Sequence, residues 1–355
     1  MGDQRVIGKQ TVSEAMPPQS TPSLRRKTSG GNGALRRLIL RPEIGGAISA
    51  LIVFVFFAIA AGSSGFLTVL GTAYWLDTAS ELGIIAIPVG MLMIAGEFDL
   101  SVGAMVGTAS MIVAICTGYY ELDPMVGVGI AFAFAVALGL LNGLIVVKTK
   151  LPSFIVTLST MFMTTGAILG VSIALTGSSS ISAVPTGPAN FIFAYKWNEF
   201  HISLLHWLVL AGLATWVLQN TRFGNWVYAT GGNVDTARLA GVPTNRVKII
   251  LFVLSALGAA FVGVLQTYTF QNGSVTLGAQ YVFSGIAACV IGGVLLTGGY
   301  GSLVGTAFGA MTYGIVSMGV FFLGWNADLT ELFIGALLLM AVMTNNRLRR
   351  FAMGR

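Results

Sequence analysis

Apolar residues run along this chain in blocks of about bilayer length, divided by short polar segments. The blocks cover about 44–66, 80–96, 103–119, 125–147, 153–175, 203–219, 248–268, 280–297, 302–323 and 329–344. This pattern predicts an all-α polytopic membrane protein with ten spanning helices. The second and third blocks are divided only by Gly96-Glu97-Phe98-Asp99-Leu100-Ser101, so one long broken helix is the other reading there. Residues 1–37 are rich in Ser, Thr, Pro, Gly and basic residues, and are expected to form a disordered tail. The remainder, 38–355, is expected to form a single transmembrane domain with one long inner loop at 220–248. The first apolar block is too long, and starts too late, for a cleavable signal peptide.

Composition agrees with a membrane protein. Of the 355 residues, 55% are hydrophobic and 9% charged, and the mean hydropathy is +0.83. A soluble domain carries about 25% charged residues, so a soluble cytosolic enzyme is excluded. The net charge of +6 needs no nucleic-acid partner, because its distribution matches a membrane topology. With ten spans and an inner amino terminus, 18 of the 19 Lys and Arg residues fall inside and only Lys196 outside. Asp77, Glu81, Glu121, Asp123, Glu199, Asp328 and Glu331 fall on the outer side. Merging spans two and three would put Lys148 and Lys150 outside. The positive-inside rule therefore predicts ten spans with both termini cytoplasmic.

The chain also repeats itself. Val102-Gly103-Ala104-Met105-Val106-Gly107 matches Val304-Gly305-Thr306-Ala307-Phe308-Gly309 at an offset of 202. The same offset sets Gly96 on Gly298, Gly90 on Gly292 and the first span on the seventh. A parallel repeat of spans 1–4 and 7–10 follows, with spans 5 and 6 as the connection.

Catalytic sets are missing from the sequence. It has no phosphate-loop motif, no His-Glu-x-x-His and no Cys-x-x-Cys. No catalytic residue, metal site or resident cofactor is expected. His201 and His206 read as interfacial residues beside Trp207, and Cys116 and Cys289 as small core residues. Glu97 and Asp99 fit two readings. They are a gate or pathway element in a Gly-interrupted turn, or a solvated cytoplasmic turn in which Asp99 caps span three. Asn142, Ser153, Thr157, Thr160, Thr164, Thr165, Gln266 and Ser284 are polar residues within the spans. They suit a neutral polyol in transit or hydrogen bonds between helices. Glu97, Asp99, Ser101, Asn142 and Thr157 are the candidate gate or pathway residues.

Within 220–248, Asn233 or Asp235 can cap a short helix that Gly241 ends. A short capped helix on the basic side is a docking element or an ordinary surface loop.

Asp235-Thr236-Ala237-x-x-x-Gly241 resembles the Glu-Ala-Ala-x-x-x-Gly loop of ABC importer permeases, with Asp and Thr in place of Glu and Ala and no Leu-Pro after it. Ala229-Thr230-Gly231-Gly232-Asn233 with Ala237-Arg238-Leu239-Ala240-Gly241-Val242 resembles the ribose-type sugar permeases. So do Gly96 to Gly103, Leu141-Asn142-Gly143, Leu151 to Leu158, and Gly292-Gly293 with Gly298-Gly299-Tyr300-Gly301. The resemblance covers roughly 44–345. It implies a bacterial inner-membrane permease subunit of an ATP-driven importer for a monosaccharide or related polyol. A cytoplasmic ABC ATPase that binds the ATP, a periplasmic sugar-binding protein and a second permease copy are the implied partners, with membrane lipid around them. Asn233, Asp235, Ala237, Arg238 and Gly241 would then couple the chain to the ATPase. The alternative is a secondary transporter or facilitator for a small polar solute. Scarce intramembrane ionisable residues argue against ion coupling, and the missing catalytic set argues against a membrane enzyme.

Overall fold

The computed structural model describes residues 42–352, with the side chains of 43–343. The polar segment expected to be disordered, 1–37, lies outside the described residues.

Helices stand at each apolar block. In chain order they are α1 (Pro42–Ala61), α2 (Val69–Ile94), α3 (Val102–Ala114), α4 (Pro124–Thr149), α5 (Ser153–Thr176) and α6 (Ser203–Asn220). Two short helices follow, α7 (Arg222–Gly232) and α8 (Val234–Leu239). Then come α9 (Thr244–Thr269), α10 (Tyr281–Ile291), α11 (Leu303–Phe322) and α12 (Leu329–Ala352). Among the described residues, 7 helices are long and apolar enough to cross a membrane, α3 counting with the wider turn that extends it to Tyr119. The chain is an all-α polytopic membrane protein.

Two expectations need correction. The eighth block, 280–297, is not one span. Its helix, α10, has 11 residues. At 1.5 Å per residue that is about 16 Å, roughly half of the ~30 Å hydrocarbon core. The second span begins at Val69, well before 80, so Asp77 lies inside α2 rather than in the segment before it. A single broken helix over 80–119 is also excluded, because α2 and α3 are separate helices joined by a turn.

Local chemistry sets these boundaries. Thr68 caps α2, its hydroxyl accepting from Gly71 N at 3.0 Å. Asp123 caps α4 ahead of Pro124, accepting from Met125 N at 2.8 Å. Ser302 opens α11 in the same way. Two small antiparallel ribbons tie loops together: Ser180–Ser182 pairs with Asn272–Ser274, and Lys196–Trp197 with Phe200–His201.

From Leu82 to Ile94 every residue of α2 is buried, so this helix is apolar on all sides and forms the centre of the core. Around it pack α6, α9, α10 and α11. By contrast α1 and α5 expose broad apolar faces, including Ile59, Phe162 and Met163, as lipid-facing helices do. The offset of 202 carries α1 onto α9 and α3 onto α11. Packing follows the repeat, with exchange: α1 lies against α11, and α9 against α3.

The α3–α9 contact is a backbone approach. A Cβ on Gly263 would lie 2.3 Å from the Val106 carbonyl oxygen. Gly263→Ala should therefore push the helices apart and cost about 1–3 kcal/mol. Gly166→Ala, with nothing within 4 Å of its Cβ position, should be neutral or gain up to about 1 kcal/mol of helix propensity. Thermal unfolding in detergent, read side by side for the two variants, checks the pair.

Candidate functional site

The turn between α2 and α3 is where the polar side chains of the spans converge. Helix α2 ends on Gly96, which is left-handed at φ +87. Gly96 N bonds to Met93 O and Glu97 N to Leu92 O, at 2.9 and 3.1 Å. These two bonds satisfy carbonyls that the helix end would otherwise leave free. The chain then turns inward. Phe98 N donates to Ser153 Oγ at 3.0 Å, and Leu100 N to Thr157 Oγ1 at 3.1 Å. Asp99 Oδ1 accepts from Ser101 N at 2.9 Å and from Ser101 Oγ at 2.5 Å. Asn142 Nδ2 donates to Ser101 Oγ at 2.9 Å, joining α4 to the turn.

Asp99, Ser101, Asn142 and Thr157 thus form one connected group, and all four are buried. A solvated turn is excluded for Asp99, which is 1% exposed. Burial pushes its carboxyl above the usual carboxylate range, while hydrogen bonding with Ser101 pulls it back. The expected cap on α3 takes another form. The Asp99 carboxylate binds the N–H two residues on, at Ser101, and so closes the turn just before the helix rather than capping its first turn. Glu97 stands apart from this group. It forms an ion pair with Lys248 in α9, and both side chains are mostly buried.

The second group of sequence candidates lies on α7 and α8. Asn233 ends α7 and caps α8, its Oδ1 accepting from Thr236 N at 2.9 Å. Gly241 is left-handed at φ +82. Val242 N bonds to Ala237 O and Gly241 N to Arg238 O, at 3.0 and 2.9 Å, a Schellman end. Arg238 reaches Thr244 Oγ1 at 2.9 Å and Asn245 Oδ1 at 3.0 Å, so it holds α8 to the start of α9. Its pair with Asp235, at 3.7 Å, is exposed and weak. Ala237 faces inward and is buried, so an outside partner does not reach it. Leu239 faces outward at 90% exposure, and sequence reasoning did not single it out.

Two further polar groups were also missed. Glu81 Oε2 accepts from Gln266 Nε2 at 2.7 Å and from Tyr281 Oη at 3.0 Å, linking α2, α9 and α10. Asp77 pairs with His201 where α2 meets the Lys196–His201 ribbon. The missed signal was the Thr68 cap, which starts α2 a full three turns before the densest apolar run. His206 does not join His201. It lies edge-on to Phe261, with ring centroids 5.0 Å apart. Among the described residues no three His, Cys, Asp or Glu side chains converge as a metal site.

Asp99→Ala should leave the Ser101 N–H and hydroxyl without their acceptor in a buried turn, at about 1–3 kcal/mol for an unsatisfied group. The expected result is a lower unfolding midpoint in detergent, with Asn142→Ala lower by a smaller amount. Equal midpoints for Asp99→Ala and the parent would contradict the role given to this turn.

Residues 71–342 match the family described as branched-chain amino acid transport system / permease component. The chain is 30% identical over 291 residues to the ribose import permease protein of Escherichia coli strain K12, covering 80% of this chain and 88% of that protein. It is 31% identical to the galactose/methyl galactoside import permease protein of the same strain, over 78% of this chain and 86% of the relative. An inner membrane ABC transporter permease protein of that strain is 32% identical over 74% of this chain and 79% of its own. No solved structure matches the chain.

Proposed function

The chain belongs to the branched-chain amino acid transport system permease family, and on that premise we propose that it is the membrane permease subunit of an ATP-driven importer for a monosaccharide or related polyol. A separate cytoplasmic ATPase supplies the energy and a periplasmic binding protein delivers the solute. The permease works as a homodimer in the bacterial inner membrane with both termini in the cytoplasm. The sugar class is supported by the similarity to the ribose and galactose import permeases.

The observation that supports the ABC reading best is α8. This helix is six residues long, capped at both ends, and presents Asp235, Thr236, Arg238 and Leu239 outward. An exposed leucine on a rigid basic-side helix suits insertion into an apolar groove of another protein. Ala237 holds the helix to the body and does not serve in docking. The buried Asp99–Ser101–Asn142–Thr157 group holds the inner turn of α2 and α3 in place, and its movement opens or closes the pathway.

Reconstituted vesicles test the function as a whole. Uptake of ribose, galactose or fructose should require ATP, the ATPase and the binding protein. Uptake without ATP would point to a facilitator, and uptake that collapses with an ion gradient to a secondary carrier.

Leu239→Asp should reduce co-purification of the ATPase at least about tenfold, as loss of a central interface anchor does. Membrane insertion should be unchanged, because the side chain touches little of its own protein. A cysteine at 235 should label only from the cytoplasmic side. Wild-type co-purification, or labelling from outside, would refute α8 as the docking element.

A further inference from the structure

The two repeat-related turns meet at one place, and α7 meets both of them there. Gly299 N donates to Ile94 O at 2.8 Å, tying the turn after α10 to the last residue of α2. Gly96 and Gly298 are equivalent at the offset of 202 and both left-handed, at φ +87 and +75. A Cβ on Gly298 would lie 2.9 Å from Gly96 Cα and 3.0 Å from Gly231 O. Gly231, near the end of α7, is tighter still. Its Cβ would lie 1.8 Å from Ile94 O and 2.6 Å from Gly299 N. Three backbones from three parts of the chain therefore touch with no side chain between them.

Two more links surround this junction. Tyr228, one turn earlier on α7, donates its hydroxyl to Gly301 O at 2.9 Å. Lys248 of α9 holds Glu97, the residue after Gly96. On the other side, Asn233 is at once the last cap of α7 and the first cap of α8. No flexible linker separates α8 from the junction.

We propose that this junction is the transmission element of the transporter, in which Gly231, Tyr228 and the Glu97–Lys248 pair act as positioning residues that turn a shift of α8 into a joint shift of both repeat-related turns. The inference rests on the reading of α8 as the docking helix. Backbone packed directly on backbone has no rotamers to absorb a small displacement, so movement passes through it undamped. The ion pair adds a second grip, because separating two mostly buried charges leaves each without its partner. Contact with both turns at once explains how one external element acts on both halves of the repeat.

The test uses the full transporter, permease with its ATPase and binding protein, in proteoliposomes supplied with ribose, galactose and fructose. Variants are Gly231→Ala, Lys248→Glu, Glu97→Lys and the reciprocal double variant Glu97→Lys/Lys248→Glu. ATPase stoichiometry, ATP hydrolysis and sugar taken up per ATP are read on each. Gly231→Ala and the single charge reversals should keep the parent ATPase stoichiometry and hydrolyse ATP within about twofold of it. Sugar per ATP should fall at least about tenfold, in the reversals because a mostly buried pair becomes two like charges, and in Gly231→Ala because the new Cβ would lie 1.8 Å from Ile94 O and force the backbones apart. The double variant should recover uptake to within about threefold of the parent.

A parent-like sugar-to-ATP ratio in the single variants would overturn the proposal. So would a double variant no better than the singles, or ATPase lost from the variants but not the parent. Should Gly231→Ala fail to reach the membrane, the charge swap decides alone. A parent transporter that carries no ATPase would refute the docking reading, and this inference with it.

Discussion

Every backbone N–H and C=O within an apolar slab must find a partner inside the protein. This constraint organises the rest of the structure, because α10 is only half a span and α2 gives way to a buried irregular turn. Helix α2 ends at Ile94 and α10 at Ile291, and each is followed by irregular chain. At α2 the freed groups are met by its own last turn and by the Ser153 and Thr157 hydroxyls of α5. At α10, Gly293 N bonds to Val290 O and Val294 N to Cys289 O, and further on Gly299 N reaches Ile94 O. The second turn is thus satisfied partly by the first.

The same requirement explains where the polar side chains went. Serines, threonines and asparagine scattered through the spans suit either a polyol pathway or hydrogen bonding between helices. In the folded chain Ser153, Thr157 and Asn142 bond to the α2–α3 turn, and Gln266 to Glu81 and Tyr281. In the described arrangement they are spent on protein. A pathway lined by them would require those bonds to be exchanged as the helices move, which ties transport to the position of the turns.

Close packing in this protein comes from missing side chains. Helices with lipid on one face gain nothing from an apolar contact over a lipid contact, so association relies on near approach and hydrogen bonding. Gly263 against Val106 and Gly231 against Ile94 bring backbone to backbone. Such contacts are stiff, and stiffness is what a part needs if it is to carry movement from a surface helix to the core.

Much of this was legible in the order of residues. Apolar blocks located a helix at each of ten places, because hydropathy follows burial in lipid as much as burial in protein. The offset of 202 foretold which helices are equivalent, and Asn233 and Gly241 marked both ends of α8, since capping is a local matter of hydrogen bonds and φ. Four things required the tertiary structure. Helix α10 is half a span, Glu81 lies inside a helix bonded to α9 and α10, Ala237 faces inward, and Glu97 holds Lys248. The last and the second depend on neighbours far away in sequence: Lys248 is 151 residues from Glu97, and Gln266 is 185 from Glu81. Hydropathy and caps report what a segment does by itself. Which polar group meets which is decided only when helices pack, because a buried charge or backbone group is satisfied by whatever partner the fold brings within reach.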